Sequence, residues 1–174
     1  LIRLPADGII RLQKKPQLPK YTGSGDDIRM NQTEEKTALQ ELVDTFAILA
    51  DEMKLHEQAQ LFTEDGVLES HAAGQTHRFQ GREEIEKSCT AFMNLFHTHF
   101  HNNGQAVFEL RDETHATGTA YNLTVLIGKN EEGTDQMITN GIVYHDQYVK
   151  QDGSWRIAKR ESNFIWTRTE KYGA

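Results

Sequence analysis

The sequence predicts an α+β fold in which N-terminal helices pack in a strongly curved antiparallel β-sheet, a cone-shaped half-barrel. Three observations predict it. Apolar residues in the first third recur every three or four positions, which is helical spacing. From Gln105 onward the pattern changes to long strand-like runs joined by tight turns. The chain has 174 residues, enough for one well-buried core and short for two. Helices followed by strands cover one face of the sheet with those helices. Strands this long favour curling into a half-barrel that can hold a ligand.

The first 29 residues differ from the rest. They hold all three prolines (Pro5, Pro16 and Pro19) and carry six Lys/Arg against three Asp/Glu, whereas the remainder carries thirteen against twenty-three. "TGSGDD" has linker composition. The folded domain is therefore expected to span residues 30–174, with 1–29 a flexible arm or an upstream extension. Met30 opens "MNQTEEKTALQELVDTFAILADEM", whose Leu39, Leu42, Val43, Phe46, Leu49 and Ala50 step by three and four. Glu34 and Glu35 suit its N-terminus. "HEQAQLFTEDG" reads as a short second helix ending before Gly66, "VLES" as a strand and "HAAGQTHRFQG" as a loop. "REEIEKSCTAFMNLF" is a third helix with Ile85, Cys89, Phe92 and Phe96 along one face.

Strands follow. "AVFELR" leads through "DET" to "HATGTAYNLTVLIG", and "NEEGTD" turns the chain into "QMITNGIVYHDQYVKQ". Asp152–Gly153, a hairpin signal, turns it again into "SWRIAKRESNFIW". In this last run Trp155 and Ile157 alternate inward, with Arg156 and Lys159 or Arg160 outward. There are no internal repeats.

Composition excludes several classes. A net charge of −7 leaves no basic stripe for nucleic acid. The longest apolar runs are too short to span a membrane, and the N-terminus lacks the apolar core of a secretory signal. A single cysteine, Cys89, cannot form an internal disulfide and fits a reducing compartment, so the cytoplasm is expected. Cys89 lies on an apolar helix face, where a buried thiol is inert rather than nucleophilic.

Three of the eight histidines crowd into "FHTHFHNNGQ": His97, His99 and His101. On a strand all three share a face, but first and third lie about 13 Å apart, too far to bind one ion together. No metal and no cofactor are expected; one useful histidine, His101, is.

Four local patterns resemble the SnoaL-like branch of the nuclear-transport-factor-2-like superfamily (the cystatin-like cone). They are "FAILADEMKLHEQAQLFTEDG", "GREEI", "HNNGQ" followed after a strand by "HATGTAY", and "YHDQYVKQDGSWRIAKR", spread over roughly Leu39 to Trp166. The group includes scytalone dehydratase, bile-acid 7α-dehydratase, polyketide cyclases, ketosteroid isomerase relatives and binding or scaffold members. In its dehydratase branch an aspartate from the first-helix region and a histidine from the His-x-x-Gly strand form an acid/base pair. The resemblance carries these onto Asp51 and His101. The branch's tyrosine near that aspartate is Phe46 here, and its second histidine is replaced by aliphatics around Leu126 and Ile127.

The chemistry expected is acid/base catalysis of dehydratase, isomerase or cyclase type on a small apolar ring compound. Asp51 would orient His101, and an apolar wall would include Phe46, Tyr144 and Trp166. Tyr121, at the family's Ala-x-Gly-x-x-Tyr position, would offer its hydroxyl to substrate. Asn140, Tyr144 and Asp146 share one strand face, and an inward Asp146 would be a second candidate base, as in the cyclase branch. The alternative is a ligand-binding or dimerisation domain of the same fold, with Asp51 and His101 unlinked. Resemblance also implies a homodimer through the open sheet face.

Overall fold

The computed structural model describes residues 25–173, with side chains from Asn31 onward. The element order is α1 (Gly25–Asp51), α2 (Leu55–Ala59), β1 (Phe62–Ala72), β2 (Gln75–Gln80), α3 (Arg82–Met93), β3 (Thr98–Leu110), β4 (His115–Lys129), β5 (Asp135–Gln151) and β6 (Ser154–Lys171). The first helix begins at Gly25 rather than Met30, so the last five residues assigned to the arm are helical. Residues 1–24 lie outside the described residues.

One six-stranded sheet has the order β2-β1-β6-β5-β4-β3. All pairings are antiparallel except β1 with β6, which run parallel. The chain leaves β1 through β2 and α3 before building the long meander β3–β6, and the last strand closes back beside the first. The helices fill the concave side, giving the expected helix-lined, unclosed cone. The core joins Leu39 and Val43 of α1 to Phe62 of β1, Ile85 of α3, and Tyr148 and Ile157 of the long strands. Glu35 ties α1 to the β5–β6 hairpin, accepting from Lys150 Nζ at 2.6 Å and Trp155 Nε1 at 2.7 Å. No helix among the described residues is long and apolar enough to cross a membrane.

Three local readings are corrected. "HAAGQTHRFQG" is not a loop: it completes the β1–β2 hairpin, turning at Ala73 and Gly74 with φ of 50° and 76°. That is the positive-φ pair of a two-residue hairpin turn, which usually advertises itself with Asn or Asp in first place; alanine hides it. "TEDG" belongs to β1 rather than to a helix, in a stretch where the register against β6 shifts between Phe62 and Val67. Gly66 is required there, because a Cβ would lie 2.9 Å from the Phe62 Cβ. Finally, of the two residues offered as outward, Lys159 keeps an accessible side chain and Arg160 is fully buried. Gln147 pairs with Lys159 while Tyr148 pairs with Ile157, so Ala158 is an extra residue in β6. Such a bulge reverses the in/out alternation, which a strict two-residue period cannot foresee.

Candidate active site

Asp51 is the last residue of α1, and His101 sits on the inner side of β3. The two meet: Asp51 Oδ1 lies 2.6 Å from His101 Nδ1, and Oδ2 accepts from the His101 backbone N–H at 2.9 Å. Both oxygens of one carboxylate thus grip one residue of another element. With Asp51 ionised, Nδ1 carries the proton and donates, leaving Nε2 with its lone pair free. No described residue bonds Nε2, and His101 forms part of a cavity wall.

The helix end that presents Asp51 breaks two local rules. A carboxylate at a helix C-terminus faces the negative end of the macrodipole, and no basic residue stands in the last turn to offset it. The chain then turns through Met53 at φ 56°, a left-handed conformation costing a non-glycine residue about 1–2 kcal/mol. Backbone bonds from Met53 to the Ala50 carbonyl (3.1 Å) and from Lys54 to the Leu49 carbonyl (2.9 Å) close the end. This is the Schellman arrangement, here without its glycine. Local cost of this kind persists only where the surrounding structure holds it, and it clusters at active sites and ligand clamps.

The cavity encloses about 520 Å³ between α1, α3 and the concave sheet. Its surface is mainly apolar, with Phe46, Phe92, Met93, Leu126 and Ile142 around the dyad. Phe92 is 46% exposed and stands edge-on to Phe96, 5.4 Å between centroids. Asn140 and Tyr144 line the same space, Asn140 accepting from Thr167 Oγ1 at 2.8 Å. Burial pushes the Tyr144 phenol up to about 12, against the opposing pull of Arg160, so it stays a neutral donor.

Below Phe46 lies the feature that sequence reasoning missed. Arg160 is bonded by Nε and Nη2 to the two Asp146 oxygens at 2.9 and 2.6 Å, and Tyr148 donates to the same carboxylate at 2.6 Å. The guanidinium is sandwiched between the rings of Phe46 and Tyr144, 4.2 and 4.3 Å from their centroids. Burial alone would lower its pKa; the Asp146 carboxylate outweighs this and holds it above the ordinary value. Asp146 does face inward as its parity suggests, but both its oxygens are committed and it is absent from the cavity wall, so it is neither a free base nor a substrate contact. The available signal was that an inward carboxylate needs a buried cation, and Arg160 lies in register opposite it.

Tyr121 and Trp166 are not in the cavity. Tyr121 points to the outer, convex face and is 53% exposed, its neighbours Ala120 and Asn122 being the inward ones. Trp166 follows a second extra residue, Ile165, opposite the register shift at Gly141. It therefore lies on the outer face, its indole packed over Gly141, where no Cβ would fit. The other two histidines of the triplet serve elsewhere. His99 Nε2 donates to the Met93 carbonyl at 2.9 Å, tying β3 to α3. His97 lies outside the strand and meets Asp135 at 3.1 Å on the surface. Three neighbouring histidines thus have three separate partners.

Cys89 is a half-buried residue at the cavity wall, and desolvation pushes its thiol up to about 11 despite the Ser88 hydroxyl and the Arg160 charge. At pH 8 a thiol of that pKa is ionised in about one molecule per thousand, against about a quarter for an ordinary cysteine. Iodoacetamide should therefore alkylate the folded protein about two orders of magnitude more slowly than the denatured chain. The rate should rise about tenfold per pH unit between pH 7 and 9, and mass spectrometry at timed intervals checks both.

A SnoaL-like domain model matches residues 31–161. No curated protein matches the chain in sequence. Among solved structures, a candidate scytalone dehydratase from Novosphingobium aromaticivorans superposes with a TM-score of 0.66 at 24% identity, over 82% of this chain and 91% of that one. A single-substitution variant of a protein of unknown function from Mycobacterium tuberculosis gives 0.64 at 25% identity, over 86% and 78%. The hexachlorocyclohexane dehydrochlorinase LinA-type3 of Novosphingobium barchaimii gives 0.70 at 18% identity, over 84% and 99%. The chain belongs to the SnoaL-like family, and its fold is that of the nuclear-transport-factor-2-like cone.

Proposed function

We propose that this SnoaL-like protein is an enzyme that moves protons with its own side chains, in a dehydratase, isomerase or cyclase reaction on a small, largely apolar ring compound. The observation that carries the proposal is the 2.6 Å contact between Asp51 and His101 at the wall of an apolar cavity. Asp51 fixes the tautomer, so His101 Nε2 takes the proton from a carbon next to a carbonyl. As imidazolium, steadied by the carboxylate, His101 then returns the proton. Returned to a departing hydroxyl it releases water; returned to another carbon it completes an isomerisation. No group beyond these side chains is needed for either path. A positioned acid/base of this kind supplies a factor of about 10²–10⁴, enough for an activated C–H bond.

The test uses cyclic β-hydroxyketones, whose loss of water creates a conjugated enone visible in the ultraviolet. Turnover by the wild-type protein and a loss of about 10²–10⁴-fold in His101→Gln, with ligand affinity retained, is the expected result. A variant that changes only affinity would turn the reading to a ligand-binding domain.

The same reading includes a homodimer. Phe100, Tyr121, Leu123 and Trp166 are exposed together on the outer face of β3, β4 and β6, and contiguous exposed apolar surface of this kind supports a protein contact. The wild-type chain should elute from a sizing column as a dimer at micromolar concentration and Tyr121→Glu as a monomer; a wild-type monomer would remove the proposal. The compartment proposed is the cytoplasm, on the strength of a lone cysteine kept as a thiol.

A further inference from the structure

The concave face carries two rows of polar side chains running across the sheet, and only one of them contains the dyad. In the first row, His101 of β3 stands opposite Thr124 of β4, Thr124 opposite Asn140 of β5, and Asn140 opposite Thr167 of β6. Its members are already engaged. His101 gives Nδ1 to Asp51, Thr167 donates to Asn140, and Thr124 donates to Asn122 Oδ1 at 2.5 Å. That last bond continues through Asn103 to the Val43 carbonyl of α1.

The second row begins at the opposite edge of the sheet. His77 of β2 stands opposite Ser70 of β1, Ser70 opposite Ser162 of β6, and Ser162 opposite Tyr144 of β5. All four line the same cavity as His101. None of the four side chains hydrogen-bonds to another described residue, although Ser162 is only 8% and Tyr144 only 5% exposed. A ligand oxygen can satisfy hydroxyls that the fold leaves without partners, and here three hydroxyls and an imidazole are aligned on the wall of a mainly apolar cavity. Measured along β5, Tyr144 and Asn140 are about 13 Å apart, so the rows address opposite ends of one ligand.

We infer that the row His77–Ser70–Ser162–Tyr144 is a second recognition site, which hydrogen-bonds a neutral oxygen substituent on the end of the substrate remote from His101. The substrate class is then a polycyclic or extended ring compound oxygenated at both ends, rather than a hydrocarbon or a halocarbon. A carboxylate is disfavoured, because Arg160, the one buried cation among the described residues, is already neutralised by Asp146. Tyr144 and the serines supply donors, and His77, exposed at the cavity mouth, supplies either a donor or an acceptor. The inference rests on the proposal that His101 marks the reacting end.

The experiment is a fluorescence titration of the full chain with naphthalene, 2-naphthol and 2-naphthoate, repeated with the Ser70→Ala/Ser162→Ala double variant and with His101→Gln. The expected result is 2-naphthol bound about tenfold more tightly than naphthalene, this preference abolished by the serine substitutions and kept in His101→Gln. The double variant should melt no lower than the wild type, since the lost hydroxyls have no partners inside the fold. Equal affinity for naphthalene and 2-naphthol, or a preference lost in His101→Gln and kept in the double variant, would overturn the inference. So would tighter binding of 2-naphthoate than of 2-naphthol, or a clearly lowered melting temperature. A failure of turnover with binding preference intact would instead count against the proton-transfer reading alone.

Discussion

Asp146→Ala is expected to destabilise the fold by about 3–5 kcal/mol, read as a lowered denaturation midpoint in urea with an unchanged slope. The side chains of Asp146 and Arg160 are 1% and 0% exposed, so neither charge has water to fall back on. Removing the carboxylate leaves the guanidinium with two ring faces and little else. Its Nη1 already has no hydrogen-bond partner among the described residues, and Tyr148 would lose its acceptor as well. Cation–π contact with Phe46 and Tyr144 returns about 2 kcal/mol or more at a desolvated site, but it does not replace the counter-charge and hydrogen bonds that the lost carboxylate supplied. The charge rather than the lost volume should be responsible. Asp146→Leu combined with Arg160→Met, which removes both charges and keeps the bulk, should therefore be much milder than the single change. If the double variant were as unstable as Asp146→Ala, packing and not electrostatics would be holding this layer.

The same pair shows what the sequence could and could not disclose. Helical periodicity placed α1 and α3, and the Asp152–Gly153 signal placed the β5–β6 hairpin, because both follow from local rules that act within a few residues. The parity of Asn140, Tyr144 and Asp146 was legible for the same reason. Arg160, Trp166 and the β1–β2 hairpin were not. The first two sit beyond single-residue bulges at Ala158 and Ile165, each of which reverses the face of everything after it until the next irregularity. The third turns on Ala73, whose positive φ is imposed by the hairpin rather than invited by the residue. The parallel β1–β6 pairing was also hidden, since it joins segments about ninety residues apart and nothing local specifies it. Within the site, resemblance brought out Asp51 and His101, and the unpartnered row of Ser70, His77, Ser162 and Tyr144 emerged only from the strand register. Serines at scattered positions carry no signal until the sheet lines them up.

Asp51→Asn is expected to reduce turnover by about 10³–10⁴-fold, on the scale seen when a carboxylate that orients a catalytic histidine is made neutral, while leaving stability within about 1 kcal/mol. The substitution is nearly isosteric, and the side-chain carbonyl of asparagine can still accept the His101 backbone N–H, so β3 stays docked on the end of α1. What changes is the other bond. The asparagine amide must then face Nδ1 with a donor, and Nδ1 can accept only if its proton moves to Nε2. Nε2 is the nitrogen that faces the cavity, and with a proton on it the imidazole cannot act as a base. The imidazolium formed during reaction would lose its counter-charge as well. Two signatures separate this from a general loss of structure. Binding of a ring ligand should survive, because Phe46, Phe92 and Leu126 are untouched. Nitrogen NMR of the His101 ring should report Nδ1–H in the wild type and Nε2–H in the variant. An Asp51→Asn protein that kept wild-type turnover, or whose tautomer did not switch, would break the link between this carboxylate and the chemistry proposed for the cavity.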